Sequence, residues 1–561
     1  MSEIFLQLGI VMGLAVVVSS IARFFRQPLL VSYIVTGLLI SFVLGYWVDL
    51  HTLETFAHLG VVLLLFIVGL SLNPRVVQDM SKVAFLTGLG QIIFTSLVGY
   101  GIGIALGFSQ ITALYVAVAF TFSSTVVVIK LLHDQRDEET LYGRIVIGLL
   151  LVQDLVAMVF LIGASAFSQA VEGADIASLI SLSILNLSII TLLSFILGYY
   201  IVPKVDKFFA KDSEVLLIFS LTVCFGIVAG FYLVGFPMEI GALLAGVILA
   251  SSAYQREIAS RIKPLRDFFL VIFFVMLGFT MELESLRQLW WPAIWFSLFV
   301  LVGNPLIMMV VLRILKYSKK TGFYAGLAIA QISEFSLILL MLGASLGHID
   351  KAIVSMGTLV GLITITGSSY MISYANKLYI YLGKYLEIFD IKEVREKEKK
   401  RGDKSYEVVL FGFHRLGGGI IKYFKRMRTS FLVVDYDPEI VEDLRSKKVN
   451  VQFGDAGDVA FLDTLPLSRA KLIISTIPEV EENIQILKHL KKSRARAATV
   501  CVAGFYEDAR ELYKAGAEYV VMPPHLGRRY IAELVSEFKF DKKKYRREQK
   551  RHLKEMDLVG L

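Results

Sequence analysis

Residues 149–160 read "LLLVQDLVAMVF". Gln153 and Asp154 stand in the middle of an apolar run from Ile145 to Gly163, with nine residues on either side of the acid. At roughly 1.5 Å rise per residue the carboxylate lies about 13 Å from each end, near the midplane of a ~30 Å hydrocarbon core. An ionisable group at that depth costs on the order of 3 kcal/mol, and more if it is unpaired and faces lipid. Intramembrane acids usually mark ion or proton paths; the plainer alternative is an acid satisfied by a neighbouring helix.

The rest of the chain has the same character. Its 561 residues are 56% hydrophobic and the mean hydropathy is +0.66, which points to a polytopic membrane protein. Of the 57 Lys and Arg, 35 lie after residue 390, so the net charge of +8 does not argue for nucleic acid. Cys224 and Cys501 make no disulfide framework, and the eight His show no metal-ligand spacing. The first apolar run lacks a basic N-region and more runs follow it, so no cleavable signal is expected.

Thirteen apolar runs fall near residues 4–22, 29–48, 56–72, 83–107, 111–132, 145–169, 178–202, 215–234, 238–251, 268–281, 290–312, 323–346 and 352–376. Lys and Arg gather in the loops after the odd-numbered runs, among them Arg23, Arg26, Lys204, Lys207, Lys211, Lys316, Lys319 and Lys320. The loops after the even-numbered runs hold two, Arg287 and Lys351. The positive-inside rule then puts the N-terminus outside and everything after residue 380 in the cytoplasm.

A repeat is hidden in these runs. "QPLLVSYIVTGLLIS" (27–41) is similar to "FPMEIGALLAGVILA" (236–250), so Pro28 and Gly37 correspond to Pro237 and Gly246 at an offset of 209. The same offset carries Gly69 onto Gly278 and Ser124 onto Ser333. The shift moves span 1 onto span 8, an odd number of crossings, so the copies face opposite ways. Inverted repeats are a construction of secondary transporters, with a midplane site at the repeat interface.

The repeat also marks where helices should break. Thr121, Ser123, Ser124 and Thr125 cluster in "AFTFSSTVVVI", and hydroxyls compete for backbone hydrogen bonds. In register with them, "AQISEFS" brings Gln331, Ser333, Glu334 and Ser336 to equal depth. Unwound backbone is tolerated at membrane depth only where it lines protein or water, and there it can bind ions. Asp154, the span-5 hydroxyls and Glu334 are therefore expected to converge, although interhelical hydrogen bonding alone would also explain the Ser/Thr cluster. Glu239, at a span entry, is ambiguous. No Lys or Arg lies near the centre of any span, so the partner of Asp154 is expected to be a monovalent cation or a proton.

These runs, with "SSTVVVIKLL", "GLLLVQDLVAM" and "GLAIAQISEFSLIL", resemble the monovalent cation:proton antiporter-2 family. They look closest to its potassium-efflux branch, which carries a cytoplasmic nucleotide-binding domain. The resemblance implies a mobile core domain and a homodimer, and the family's Gln-Asp pair falls on Gln153 and Asp154; with the residues of the two breaks, Thr121, Ser123, Ser124, Thr125, Ser333 and Glu334, these make the candidate ion and proton site. A single acid after Gln implies electroneutral exchange with potassium favoured over sodium. An Na⁺/H⁺ antiporter of the same fold is the alternative.

After the charged stretch 392–405 the pattern changes. "YEVVLFGF", "SFLVVDYD", "VNVQFGDA", "AKLIISTI", "ATVCVAGF" and "EYVVMPP" alternate with helical segments, as a parallel sheet with βαβ crossovers requires. In "GFHRLG", Gly412 and Gly417 stand where a phosphate-binding G-x-G-x-x-G loop needs them, His414 replaces the middle glycine, and Arg415 and Leu416 fill the loop. Asp435, 23 residues past Gly412, fits the acid that holds a ribose. The domain resembles the regulator-of-potassium-conductance N-lobe, whose further motif falls on Asp455 of "GDAGD". The resemblance implies pairing with its twin and binding of an adenine nucleotide, with Asp455 and Thr476 completing the candidate cleft. A side chain at 414 crowds a pyrophosphate and favours AMP over NAD(H); a dimerising domain without a ligand is the plain alternative.

The expected fold is thus a polytopic α-helical membrane protein of about thirteen spans with an inverted repeat and broken helices, followed by an α/β Rossmann-like domain. Its divisions are 1–384 (membrane domain), 385–404 (charged linker), 405–535 (nucleotide-binding domain) and 536–561 (basic tail). A potassium channel would need a carbonyl filter of the TVGYG kind, and none occurs. A membrane-attached dehydrogenase would need a substrate domain, for which the chain after residue 530 is too short. The expected localisation is a prokaryotic cytoplasmic membrane, with lipid, the cations and protons as partners and no enzymatic activity.

Overall fold

The computed structural model describes residues 2–25, 27–43, 48–71, 82–135, 137, 140–171, 213–233, 238–250, 252, 254–383, 385–389, 405–413, 417–457 and 459–559. The chain divides into two compact units, one of 1–138, 142–311 and 322–384, the other of 139–141, 312–321 and 385–561.

The first unit is helical: α1 (Ser2–Phe24), α2 (Leu29–Val43), α3 (Leu50–Ser71), α4 (Lys82–Ala105), α5 (Gln110–Ala119), α6 (Thr125–Gln135), α7 (Leu141–Val171), α8 (Ser213–Leu233), α9 (Met238–Leu249), α10 (Gln255–Phe279), α11 (Leu283–Leu298), a π-helical turn Phe299–Gly303, α12 (Asn304–Ile314), α13 (Lys319–Ala328), α14 (Glu334–Ser345), α15 (Lys351–Ser373) and α16 (Ala375–Leu382). Twelve of the thirteen apolar runs fall on these helices; the seventh, 178–202, lies outside the described residues. Among the described residues, seven helical stretches are individually long and apolar enough to cross a membrane. On α1, Phe5, Val16, Ile21 and Phe24 are all exposed.

One boundary differs from the sequence reading. The tenth run was expected to begin at 268, but α10 starts at Gln255 and carries Pro264 inside it. Its first turns are a polar helix, with Arg261 paired to Glu257 one turn back at 3.0 Å, so hydropathy alone does not reveal them.

The repeat is borne out element by element. An offset of 209 carries α2 onto α9, α3 onto α10, α5 onto α13 and α6 onto α14. The packing obeys the same relation, for α2 lies along α10 and α3 along α9. At each crossing the repeat glycines let backbones touch. A Cβ at Gly37 would fall on the Val275 carbonyl, and one at Gly278 on that of Ile34. In the related pair, a Cβ at Gly69 would fall on the Leu243 carbonyl and one at Gly246 on that of Phe66.

The second unit is built on a six-stranded parallel sheet of β1 (Val408–Phe411), β2 (Phe431–Asp435), β3 (Val451–Phe453), β4 (Leu472–Ser475), β5 (Ala498–Val502) and β6 (Tyr519–Val521). The order is β3-β2-β1-β4-β5-β6, the doubly wound arrangement whose ligand crevice opens at the carboxyl ends of the strands where the order reverses. Helices α17 (Gly417–Arg426), α18 (Pro438–Ser446), α19 (Val459–Leu462), α20 (Val480–Lys492) and α21 (Tyr506–Ala515) connect the strands. Beyond β6, α22 (Pro523–Phe538) runs through position 535, and α23 (Lys542–Val559) makes the basic end helical.

Candidate functional site

The two breaks expected from the hydroxyl clusters are present. Between α5 and α6 residues 120–124 leave the helix, and between α13 and α14 residues 329–333 do the same. Each second half-helix is capped by the repeat-related serine. Ser124 Oγ accepts the Val127 N–H at 3.4 Å, and Ser333 Oγ accepts the Phe335 N–H at 3.0 Å. Ser336 adds to the second cap, its Oγ accepting the Ser333 N–H at 3.1 Å.

Among the described residues, three serines join one break to the other. Ser123 Oγ donates to the Ile329 carbonyl at 2.9 Å, Ser124 Oγ to Glu334 Oε2 at 3.0 Å, and Ser336 Oγ shares its hydrogen between the Ala119 carbonyl at 2.5 Å and the Phe122 carbonyl at 3.4 Å. Orphaned carbonyls of one broken helix are thereby satisfied from the other, as enclosed backbone requires.

Asp154, on α7, faces this crossing. Thr125 Oγ1, at the first turn of α6, lies 3.2 and 3.1 Å from its two carboxylate oxygens. Asp154 and Thr125 are half-buried, whereas Ser123, Ser124 and Gln153 are enclosed and Glu334 is 5% exposed. Among the described residues neither acid forms an ion pair with Lys or Arg. Of the residues singled out in the sequence, then, Thr125 and Asp154 have open faces. Ser123, Ser124 and Glu334 hold the crossing together, Ser333 caps its own half-helix, and Thr121 turns its hydroxyl back to the Val118 carbonyl at 2.8 Å.

Gln91 was not visible from the sequence. It is fully enclosed on α4, and its Oε1 accepts the Gln153 Nε2 at 2.7 Å. A polar residue in an apolar run was the available signal, but nothing in the sequence connects positions 62 residues apart.

In the second unit, Gly412 has φ +81°, and a Cβ there would meet Thr476 Oγ1 at 2.8 Å. A Cβ at Gly417 would fall on the Gly412 carbonyl. Both glycines are therefore required for the strand–loop–helix turn. Asp435 ends β2, its carboxylate accepting the Phe413 N–H at 2.8 Å and the Asp437 N–H at 2.9 Å. Burial pushes its carboxyl up to about 6, although those backbone donors pull the other way. Asp455 accepts the Gly457 N–H at 2.8 Å. Burial, with the charge of Asp455 nearby, pushes Glu482 up to about 7. Thr476 Oγ1 donates to the Gly412 carbonyl at 3.0 Å. His414, Arg415 and Leu416 lie outside the described residues.

An inverted repeat crossing at two broken helices beside an acid within an apolar helix defines a membrane carrier of the secondary-transporter class. Residues 11–374 match the family described as sodium/hydrogen exchanger, transmembrane, and the chain belongs to it. Residues 408–523 match the TrkA-N domain. The chain is 26% identical over 537 residues to the putative cation/proton antiporter YbaL of Escherichia coli (strain K12), covering 93% of this chain and 95% of that one. It is 26% identical over 530 residues to the glutathione-regulated potassium-efflux system protein KefC of Shigella flexneri serotype 5b (strain 8401), covering 92% and 82%. To the putative K(+) efflux antiporter KefB of Alkalimonas amylolytica it is 24% identical over 522 residues, covering 92% and 78%.

Proposed function

We propose that the protein exchanges a monovalent cation for a proton across the membrane, electroneutrally and with potassium as the favoured cation. The observation that carries this reading is Asp154, half-buried at the crossing, held by Thr125 and, among the described residues, without a basic partner. Protonated, the carboxyl is neutral and can rest without a cation. Deprotonated, it needs a positive charge, and the Thr125 hydroxyl with the carbonyls freed at the break offers oxygens to a cation that has shed water. Proton and cation compete for one group, so each reorientation carries one or the other, and one acid moves one charge each way. The names of the potassium-efflux relatives support potassium; a sodium/proton antiporter of the same fold is the second reading.

The TrkA-N domain is the regulatory part in this proposal. Gly412 and Gly417 shape the phosphate turn, and Asp435 offers its remaining lone pairs to ribose hydroxyls. The proposed ligand is an adenine nucleotide, AMP before NAD(H), because the sequence has a histidine where the motif has its middle glycine. The domains divide as 1–384, 385–404, 405–535 and 536–561. The N-terminus lies outside, the nucleotide domain in the cytoplasm of a prokaryotic cell, and the working form is a homodimer. The test is full-length protein in proteoliposomes with an imposed pH gradient and sequential K⁺, Na⁺ and Li⁺. Proton flux driven by K⁺ at lower concentration than by Na⁺ supports the reading, and flux with none of the three ends it.

A further inference from the structure

We propose that Gln91 is a positioning residue for the cation site, acting through Gln153 to hold the unwound 120–124 segment in the shape that presents Thr125 to Asp154. The inference rests on Asp154 being the exchange site. It begins with the orphans that the break creates. In a continuous helix the Ser123 N–H would bond to the Ala119 carbonyl, and the Thr121 carbonyl would accept from residue 125. Here the Ser123 N–H goes instead to Gln153 Oε1 at 2.9 Å. The Thr121 carbonyl accepts Gln153 Nε2 at 3.0 Å and Gln91 Nε2 at 3.3 Å. Two side-chain amides thus replace the lost helical bonds.

The chemistry of the partners permits one orientation of Gln153. A carbonyl can only accept and a backbone N–H can only donate, so a reversed amide would set oxygen against oxygen and donor against donor. The second Nε2 hydrogen is taken by Gln91 Oε1 at 2.7 Å. Gln91 is held in its own orientation by donating to Thr95 Oγ1 at 3.1 Å as well as to the Thr121 carbonyl. Gln153 is 0% exposed with both amide hydrogens and its oxygen engaged. It therefore serves the backbone of the break, while the half-buried Asp154 beside it faces the site.

Helix packing brings the amides together. A Cβ at Gly88 would meet Val152 Cβ at 2.8 Å, and one at Gly148 would meet Ala84 Cβ at 2.5 Å, so α4 and α7 lie against each other just before the two glutamines. The repeat supplies a comparison within the same chain. Shifted by 209, Gln91 and Gln153 fall on Val300 and Leu362. The second break has no such amide pair at the matching positions. The amides accompany the acid, not the fold.

The test compares Gln91→Met, Gln153→Met and the double variant in full-length protein, with Gln91→Asn as a smaller change should Gln91→Met not fold. In proteoliposomes the half-saturating cation concentration should rise roughly tenfold in Gln91→Met, the size of one or two net hydrogen bonds, with the rate at saturating cation within about twofold. The double variant should be no worse than Gln153→Met alone, because Gln91 acts through Gln153. In detergent, amide hydrogen exchange over residues 120–126 should quicken in all three, whatever the transport result. Unchanged half-saturation together with unchanged exchange in Gln91→Met, or effects that add in the double variant, would overturn the proposal. Wild-type protein that moves no cation for a proton would instead overturn the proposed function, and the 120–126 exchange would still decide what Gln91 does.

Discussion

Ser124→Ala tests the crossing of the two broken helices most directly, because one oxygen atom serves both. Its Oγ accepts the Val127 N–H as the N-cap of α6, at 3.4 Å, and donates to Glu334 Oε2 at 3.0 Å. Both residues are enclosed, Ser124 at 0% and Glu334 at 5% exposed. Without the hydroxyl, that carboxylate oxygen keeps a contact from Ser333 Oγ at 3.5 Å, the limit of a hydrogen bond. A hydrogen bond to a charged group is worth about 1.5–3 kcal/mol and an N-cap about 1 kcal/mol. The two add to a loss of roughly 2.5–4 kcal/mol. In Glu334→Gln the serine still finds a carbonyl acceptor, but a neutral one worth about 1 kcal/mol. Ser124→Ala in that background should therefore cost about 0.5–2 kcal/mol less than in the wild type. The assay is equilibrium unfolding in mixed SDS micelles followed by tryptophan fluorescence. A Ser124→Ala protein within about 0.5 kcal/mol of wild type, or additive losses in the double variant, would refute the cross-break bond.

Asp154→Asn should leave a folded protein with no cation-driven proton flux, since an amide can neither release a proton nor balance a cation; wild-type flux in proteoliposomes would contradict its role. With one acid as carrier, exchange should be independent of membrane potential, and a rate that follows a clamped potential would refute one-for-one exchange. The carboxyl of Asp435 is raised to about 6, so it accepts ribose hydroxyls as an anion only above that pH. Adenosine, which has no phosphate to titrate in that range, should bind about tenfold more strongly at pH 7 than at pH 5 by calorimetry and then level off, whereas Asp435→Asn should remove that rise. Gly246→Ala places a methyl on the Phe66 carbonyl and should cost about 1–3 kcal/mol in the same unfolding assay. Gly226→Ala, where a Cβ meets nothing within 4 Å, is the control.

The physics of the bilayer writes much of this protein into its sequence. Lipid cannot hydrogen-bond a backbone, so spans must be long apolar runs, and Asp154 stands out against its run because burying an acid there is costly. The breaks were equally legible, since Thr121–Thr125 and Gln331–Ser336 concentrate hydroxyls and amides at matching places in the repeat. Gly37, Gly69, Gly246 and Gly278 announced the repeat itself, and their reason is the contact of backbones at α2–α10 and α3–α9. In the second unit, Gly412, Gly417 and Asp435 were readable because the turn tolerates no Cβ and β2 must end on an acid.

What each polar group does was decided only by the folded chain. Ser124 meets Glu334 across 210 residues and Gln91 meets Gln153 across 62, and no local pattern encodes either meeting. Gln153 and Asp154 are neighbours in sequence, yet the former faces an enclosed backbone and the latter an open site. Successive residues of a helix point about 100° apart. The packing of α4 on α7, not their adjacency, sends one to the enclosed backbone of the break and leaves the other with an open face.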